Sequence, residues 1–158
     1  MTIDPPPRRM GPAFLLAQLG AHAAARFAEQ LQPLGLEPPL AGILFHLRAQ
    51  PDMTQKALAE RLGAFPSRLV AWIDALSERG LVKRHPHPED RRSHVLRLTA
   101  AGRRTLTQVG KRAQDHEHAL LAPLSERERG QLLTLLQKVA DHAGLQPSVH
   151  PGFRRKPD

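Results

Sequence analysis

The sequence predicts a mainly α-helical fold carrying one small β-hairpin, and three observations lead there. Apolar residues recur at three- and four-residue spacing through most of the chain, the period of an amphipathic helix. Proline and glycine interrupt that pattern where short connections between helices would fall. The stretch Leu81–Leu98 alone breaks the helical period: it opens extended, turns through two prolines, and returns as the alternating Val95-Leu96-Arg97-Leu98 of a strand.

Taken in order, the elements follow from local chemistry. Residues 1–12, with "PPPRR", lack apolar periodicity and are expected to be a disordered tail. A first helix runs from about Ala13 to Leu31, with Leu15, Leu19, Ala23, Phe27 and Leu31 stepping every four residues; Pro33, Gly35, Pro38 and Pro39 end it. A second carries Ile43, Leu44 and Leu47 as far as Pro51. Thr54 can cap a short third helix, Gln55 to Leu62, which Gly63 closes. Pro66 suits the first turn of a fourth, whose stripe is Leu69, Ile73 and Leu76 and which Gly80 ends. After the hairpin, Thr99 can cap a long fifth helix bearing Leu106, Val109, Ala113, Leu120 and Leu121, stopped by Pro123. Ser125 and Glu128 form a capping box for a sixth, with Leu132, Leu133, Leu136, Val139 and Ala143 on one side. Residues 146–158, "QPSVHPGFRRKPD", are expected to be a second disordered tail.

The expected organisation is one domain, residues 13–145. Its outer helices, 13–35 and 100–145, carry apolar faces too generous for so small a chain to cover, so they are expected to form a dimerisation lobe with a second copy. Residues 38–99, two helices joined by a glycine-containing turn and followed by a hairpin, have the form of a winged helix-turn-helix. The 158 residues include no cysteine, which excludes disulfides, thiol redox chemistry and thiolate metal sites. No apolar run approaches the roughly 18 residues of a membrane span, and "MTIDPPPRRMGP" lacks a signal peptide's apolar region, so a cytoplasmic protein without membrane association is expected.

Charge points to the partner. The chain carries a net +8, and residues 79–112 alone hold ten Lys/Arg against Glu89 and Asp90, which accounts for the whole excess. Such density beside a hairpin is the footprint of a polyanion binder, most commonly of nucleic acid. In a winged helix-turn-helix the second helix enters the major groove, here presenting Pro66, Ser67, Arg68, Val70 and Ala71 to double-stranded DNA. Arg68 has the planar fork that suits guanine or phosphate, and Val70 and Ala71 could touch thymine methyls. Arginine on a narrow projection can enter a minor groove, so Arg91 and Arg92 are expected there, with Asp90 holding the Arg92 guanidinium. Thr54, Gln55 and Arg84 complete the expected DNA-contacting set.

The order "TQKALAERLGAFPSRLVAWIDALSERGLVKRHPHPEDRRSHVLRLTAAG" resembles the multiple antibiotic resistance regulator (MarR) family. The carrying features are the helix-turn-helix, the "ERGLV" junction, the wing with Asp90, Arg91 and Arg92, and "LRLTAAG" leading into the long helix; the resemblance covers about residues 12–145. It implies an obligate homodimer that regulates transcription, usually by repression, with helices one, five and six at the dimer interface. It also implies a DNA affinity that falls when a small ligand binds between the lobes, with Arg92 in the minor groove and Asp90 as its brace. Two positions depart from the pattern: Phe65 stands where members often carry a capping Ser or Asp, and Ala71 where many carry arginine.

For the effector, His22 and Arg26 lie one helical turn apart and His46 falls on the helix that the resemblance places near the pocket; together they could hold an aromatic carboxylate or phenolate. The plainer reading of Arg26 is an ion pair with Glu29. His85 with His87, and His116 with His118, are spaced by one residue, a poor spacing for chelation on a helix, so no metal or other cofactor is expected. A metal-responsive regulator of the same fold is the alternative. Trp72 adjoins the buried stripe of the fourth helix and is expected in the core. Catalysis finds no motif. An architectural or RNA-binding protein would explain the charge but not a single recognition helix with a single wing, and aromatic stacking platforms are few. The expectation is a dimeric, sequence-specific, DNA-binding regulator, a repressor released by a small ligand.

Overall fold

The computed structural model describes residues 11–90 and 92–153. Among them, six helices follow one another: α1 (Pro12–Leu31), α2 (Pro38–Ala49), α3 (Gln55–Leu62), α4 (Pro66–Glu78), α5 (Ala100–Leu120) and α6 (Glu126–His142). Three strands, β1 (Met53–Thr54), β2 (Val82–Pro86) and β3 (His94–Leu98), form one antiparallel sheet in the order β1-β3-β2. Single 3-10 turns stand at Gln32–Leu34 and Pro151–Phe153.

Local chemistry sets the helix ends. Proline opens α1, α2 and α4, where its missing N–H has no helical partner to lose. The Thr54 hydroxyl accepts from the Ala57 N–H at 3.1 Å, and Gly63, at φ 61°, gives α3 a left-handed close. The capping box of α6 is complete: Ser125 accepts from the Glu128 N–H while Glu128 accepts from the Ser125 N–H. The Ser125 hydroxyl, donating to the same carboxylate at 2.7 Å, and then the Ser125 N–H hold the Glu128 pKa below its ordinary value. Phe65 precedes α4 with a side chain that has no acceptor to offer, so that helix start relies on proline.

The core lies where α2, α3, α4 and the sheet meet. Ile43, Leu44, Leu58, Leu62, Leu69, Ile73, Leu76 and Leu96 are each at most 1% exposed. Burial of side chains of this size stabilises by about 1.5–3 kcal/mol apiece. The first turn of α5 joins this core by close approach: a Cβ on Gly102 would lie 2.1 Å from the Leu81 carbonyl oxygen, which explains the glycine in "LTAAG". Thr99 knits the same corner, donating to the Gly80 carbonyl at 2.6 Å and accepting from the Gly102 N–H at 2.9 Å.

Three features differ from what the sequence predicts. Strand β1 was not anticipated, because two residues carry no alternation; Met53 pairs with Leu96 and Thr54 with Val95. The expected C-terminal tail does not begin at 146. Residues 146–153 fold back, Val149 packs on the core, and Phe153 is 1% exposed. A Pro-rich segment without periodicity can still supply one aromatic ring to a hole, and the hole is at Gly42, where a Cβ would meet the Phe153 ring at 2.9 Å. The expected N-terminal tail lies outside the described residues over 1–10, and Pro12 already belongs to α1. The outer helices leave apolar side chains in the open, with Leu15 48%, Leu19 55%, Leu133 57% and Val139 54% exposed.

Candidate nucleic-acid interface

Helices α3 and α4 pack through Leu58, Leu62, Leu69 and Ile73, which turns the other side of α4 outward. Pro66, Ser67, Arg68, Val70 and Ala71 are all exposed there, as the sequence predicts. The Arg68 guanidinium lies over the Trp72 ring, 4.7 Å from its centroid, one turn further along the same face. Trp72 is half-buried, and its other neighbour is Phe153, at 5.5 Å between centroids in an edge-to-face arrangement. The expected core role of Trp72 is therefore shared with a stacking one.

The wing is a turn stabilised from within. His87 and Ser93 close it through a backbone hydrogen bond of 3.0 Å, and the Ser93 N–H donates to the Asp90 carbonyl at 3.1 Å. His87 Nδ1 accepts from the N–H groups of Glu89 and Asp90, both at 3.2 Å. The Asp90 carboxylate accepts from the Arg92 backbone N–H at 2.9 Å, and that bond holds its pKa below the ordinary carboxylate value. The brace thus acts on the main chain of Arg92 rather than on its guanidinium. A short aspartate side chain reaches the N–H two residues on without cost, which a distant guanidinium cannot match. Arg92 is exposed; Arg91 lies outside the described residues.

Several expected contact residues are engaged inside the fold. Arg84 donates from Nε to Gln55 Oε1 at 3.0 Å and pairs with Asp74 at 2.6 Å, which ties β2 to the start of α3 and the middle of α4. Thr54 is committed to its cap. Arg97 is bound to Asp52, whose carboxyl is held below its ordinary value by that bond, and Arg79 donates to the Leu34 carbonyl at 2.6 Å and to that of Gly35. Arg103 donates to the Leu98 carbonyl at 3.0 Å. Sequence counting credits all these cations to a partner; tertiary contacts assign four of them to architecture. Lys83, Arg92 and Arg104 stay exposed.

The three residues expected to hold an effector are not brought together. Arg26 pairs with Glu29 at 2.8 Å, the plainer reading, and His22 is exposed. His46 is 4% exposed and donates from Nε2 to the Ser148 carbonyl at 3.0 Å. Burial pushes its pKa down, against the opposing pull of that hydrogen bond, and the nearby Arg61 charge lowers it further. A cavity of about 260 Å³ opens instead between α1, α2 and α5, lined by Phe27, Gly42, Phe45, Arg48, Val109 and His150 among others. It is apolar apart from Arg48 and the His150 imidazole; burial lowers the pKa of the latter. His150 Nδ1 accepts from the Gly152 N–H at 2.9 Å. Sequence reasoning missed Arg48 and His150 because neither lies in a motif. Among the described residues no three His, Asp or Glu side chains gather as a metal site would need, and no helix is long and apolar enough to cross a membrane.

Two helices joined by a glycine-containing turn, the second with Leu69, Ile73 and Leu76 buried and Ser67, Arg68 and Val70 open, followed by an arginine-bearing β-turn, define a winged helix-turn-helix protein. Residues 36–94 match the MarR family profile, so the chain carries a MarR family domain. It is 32% identical over 105 residues to a protein of Thauera aromatica described as a transcriptional regulatory protein for the hcr operon, a match spanning 66% of this chain and 63% of that relative's length. The transcriptional repressor CouR, solved bound to a 23-mer DNA duplex, superimposes with a TM-score of 0.73 at 35% identity, covering 82% of this chain and 92% of CouR. Wild-type MarR from E. coli gives a TM-score of 0.74 at 26% identity over 84% of this chain and 98% of that one. The relatives are transcriptional regulators rather than enzymes.

Proposed function

We propose that two copies of this chain bind one pseudo-palindromic DNA operator and repress transcription, α4 of each entering a major groove and each wing an adjacent minor groove. The observation that carries this reading is the exposed face of α4, Pro66, Ser67, Arg68, Val70 and Ala71, beside a wing turn that projects Arg92. CouR, alike over most of its length, was solved on duplex DNA, which supports the same use here. The second copy follows from α6, none of whose residues is buried within one chain, and from the apolar residues exposed on α1. Dimer symmetry would set the two α4 helices about one DNA turn apart.

The effector in this reading is an aromatic carboxylate or phenolate, and its site is the cavity under α1, α2 and α5 rather than the His22, Arg26 and His46 set. Arg48, stacked 5.7 Å from the Phe45 centroid, is the cation that would receive an anionic head, while Phe27 and Val109 line an apolar wall.

Fluorescence anisotropy tests both parts. A duplex from upstream of the protein's own gene should bind about a thousandfold or more tighter than a scrambled duplex at near-physiological salt. Arg92→Ala should weaken that binding and reduce the salt slope by about one. Equal, strongly salt-dependent affinity for both duplexes would replace sequence-specific regulation with general nucleic-acid binding. Benzoate should weaken operator binding by the intact protein and leave the Arg48→Ala variant unaffected.

A further inference from the structure

The C-terminal residues 146–153 carry a role that the helix-turn-helix alone does not explain. They leave α6, cross the surface of α2, and anchor at three points. The Ser148 carbonyl receives the buried His46 N–H at 3.0 Å; His150 stands edge-on to Phe153 at 6.0 Å between centroids; and Phe153 itself is 1% exposed. The ring of Phe153 occupies the space that Gly42 leaves open, and its edge-to-face neighbour is Trp72. Trp72 in turn lies under the guanidinium of Arg68 at 4.7 Å. The chain of contact therefore runs Gly42, Phe153, Trp72, Arg68, from the middle of α2 to the exposed face of α4.

We infer that Phe153 is a positioning residue for operator binding: docked against Gly42, it fixes the Trp72 indole, which holds the Arg68 guanidinium in the pose that meets DNA. The inference rests on the proposed reading of α4 as the recognition helix. Its physical basis is the cost of ordering an exposed arginine. A long, charged side chain loses rotamer freedom when it binds, and an aromatic face that already restrains it removes part of that loss before DNA arrives. An indole free to change rotamer could not do so; packed edge-to-face against the buried ring of Phe153, it can. Leu69, Ile73 and Leu76 are buried on the other side of the helix from Arg68, and the aromatic face over which its guanidinium lies is that of Trp72.

The molecule supplies its own probe, because Trp72 is the sole tryptophan. Two variants disturb the contact from opposite sides in the full-length chain. Phe153→Ala removes the ring, and Gly42→Ala places a methyl group where a Cβ would lie 2.9 Å from it, while improving helix propensity in α2. Each should red-shift Trp72 emission, and each should lower operator affinity by about threefold to tenfold, the range expected of a partly desolvated cation–π restraint. In an Arg68→Ala background both losses should shrink to less than about twofold, since contacting groups couple and independent ones add. Equal losses with and without Arg68 would overturn the inference and leave Phe153 a core residue only, as would unchanged Trp72 emission in both variants. Should Phe153→Ala fail to fold, the Gly42→Ala cycle decides by the same two readouts. If the unaltered protein binds no DNA at all, the regulator reading falls first, and the emission shift still shows whether Phe153 holds the indole.

Discussion

The middle of the chain and its two outer helices solve the problem of apolar surface in opposite ways. In α2, α3, α4 and the sheet, side chains such as Leu44, Leu58, Ile73 and Leu96 are wholly buried within one chain. In α6 none is buried, and α1 buries only Leu31, at its very end. The amphipathic pattern of α1 and α6 is as strong as that of α3 and α4. What differs is whether a covering surface exists in the same molecule, so periodicity reports which face is to be buried and is silent about by what.

The largest effect should come from breaking the self-sufficient region. Gly102→Ala forces a methyl group against the Leu81 carbonyl, where neither backbone can withdraw without opening the corner held by Thr99. A loss of about 3 kcal/mol or more, the upper end of overpacking costs, should appear in urea unfolding. A loss below about 1 kcal/mol would show that α5 is free to shift and that the central region is less complete than its burial suggests.

Next comes the outer region. Val139→Glu, at a position 54% exposed in one chain, should leave the helix content of the monomer near its original value while shifting sedimentation toward the monomer. Operator affinity should then fall by about a hundredfold or more, because two linked half-site contacts multiply avidity by that order. A variant that stays dimeric would place the partner surface elsewhere.

The smallest effect sharpens the boundary of the central region. His46 has its pKa depressed below the ordinary 6.5, chiefly by burial, so the unfolded chain binds the proton more readily than the folded one. Its contribution to stability is therefore fully present above 6.5 and is lost as pH falls through the lowered native value; His150 acts in the same direction. Asp52 and Asp90, held below 3.8, and Glu128, held below 4.5, lose their contributions only at lower pH. The thermal midpoint should drop between pH 7 and 5, and His46→Gln, which keeps a donor for Ser148 and cannot titrate in that range, should flatten the drop. An unaltered slope would mean that the folded chain protonates His46 as readily as the unfolded one.

Much of the fold was legible because its signals are local. The bounds of α3 follow from Thr54 and Gly63, and the start of α6 from Ser125 with Glu128, all within one or two turns of the chain. The exposed face of α4 was readable for the same reason, since Leu69, Ile73 and Leu76 fix its rotation. What escaped is what only the third dimension assembles. Arg84 looks like a surface cation until Gln55 and Asp74 arrive from two other elements, and His46 looks like a pocket residue until Ser148 returns from a hundred and two positions away. Phe153 was lost among prolines because one ring in one hole leaves no periodic trace, although it is the single large aromatic of that segment.

The Arg84 tie has an implication for exchanging specificity between relatives. Transplanting α4 alone would bring in a helix whose counterpart to Asp74 meets an arginine set for another geometry, stranding a charge beside β2. Residues 55, 74 and 84 are joined by these contacts, and a chimaera that carries the three together with the helix should keep β2 and α4 in register.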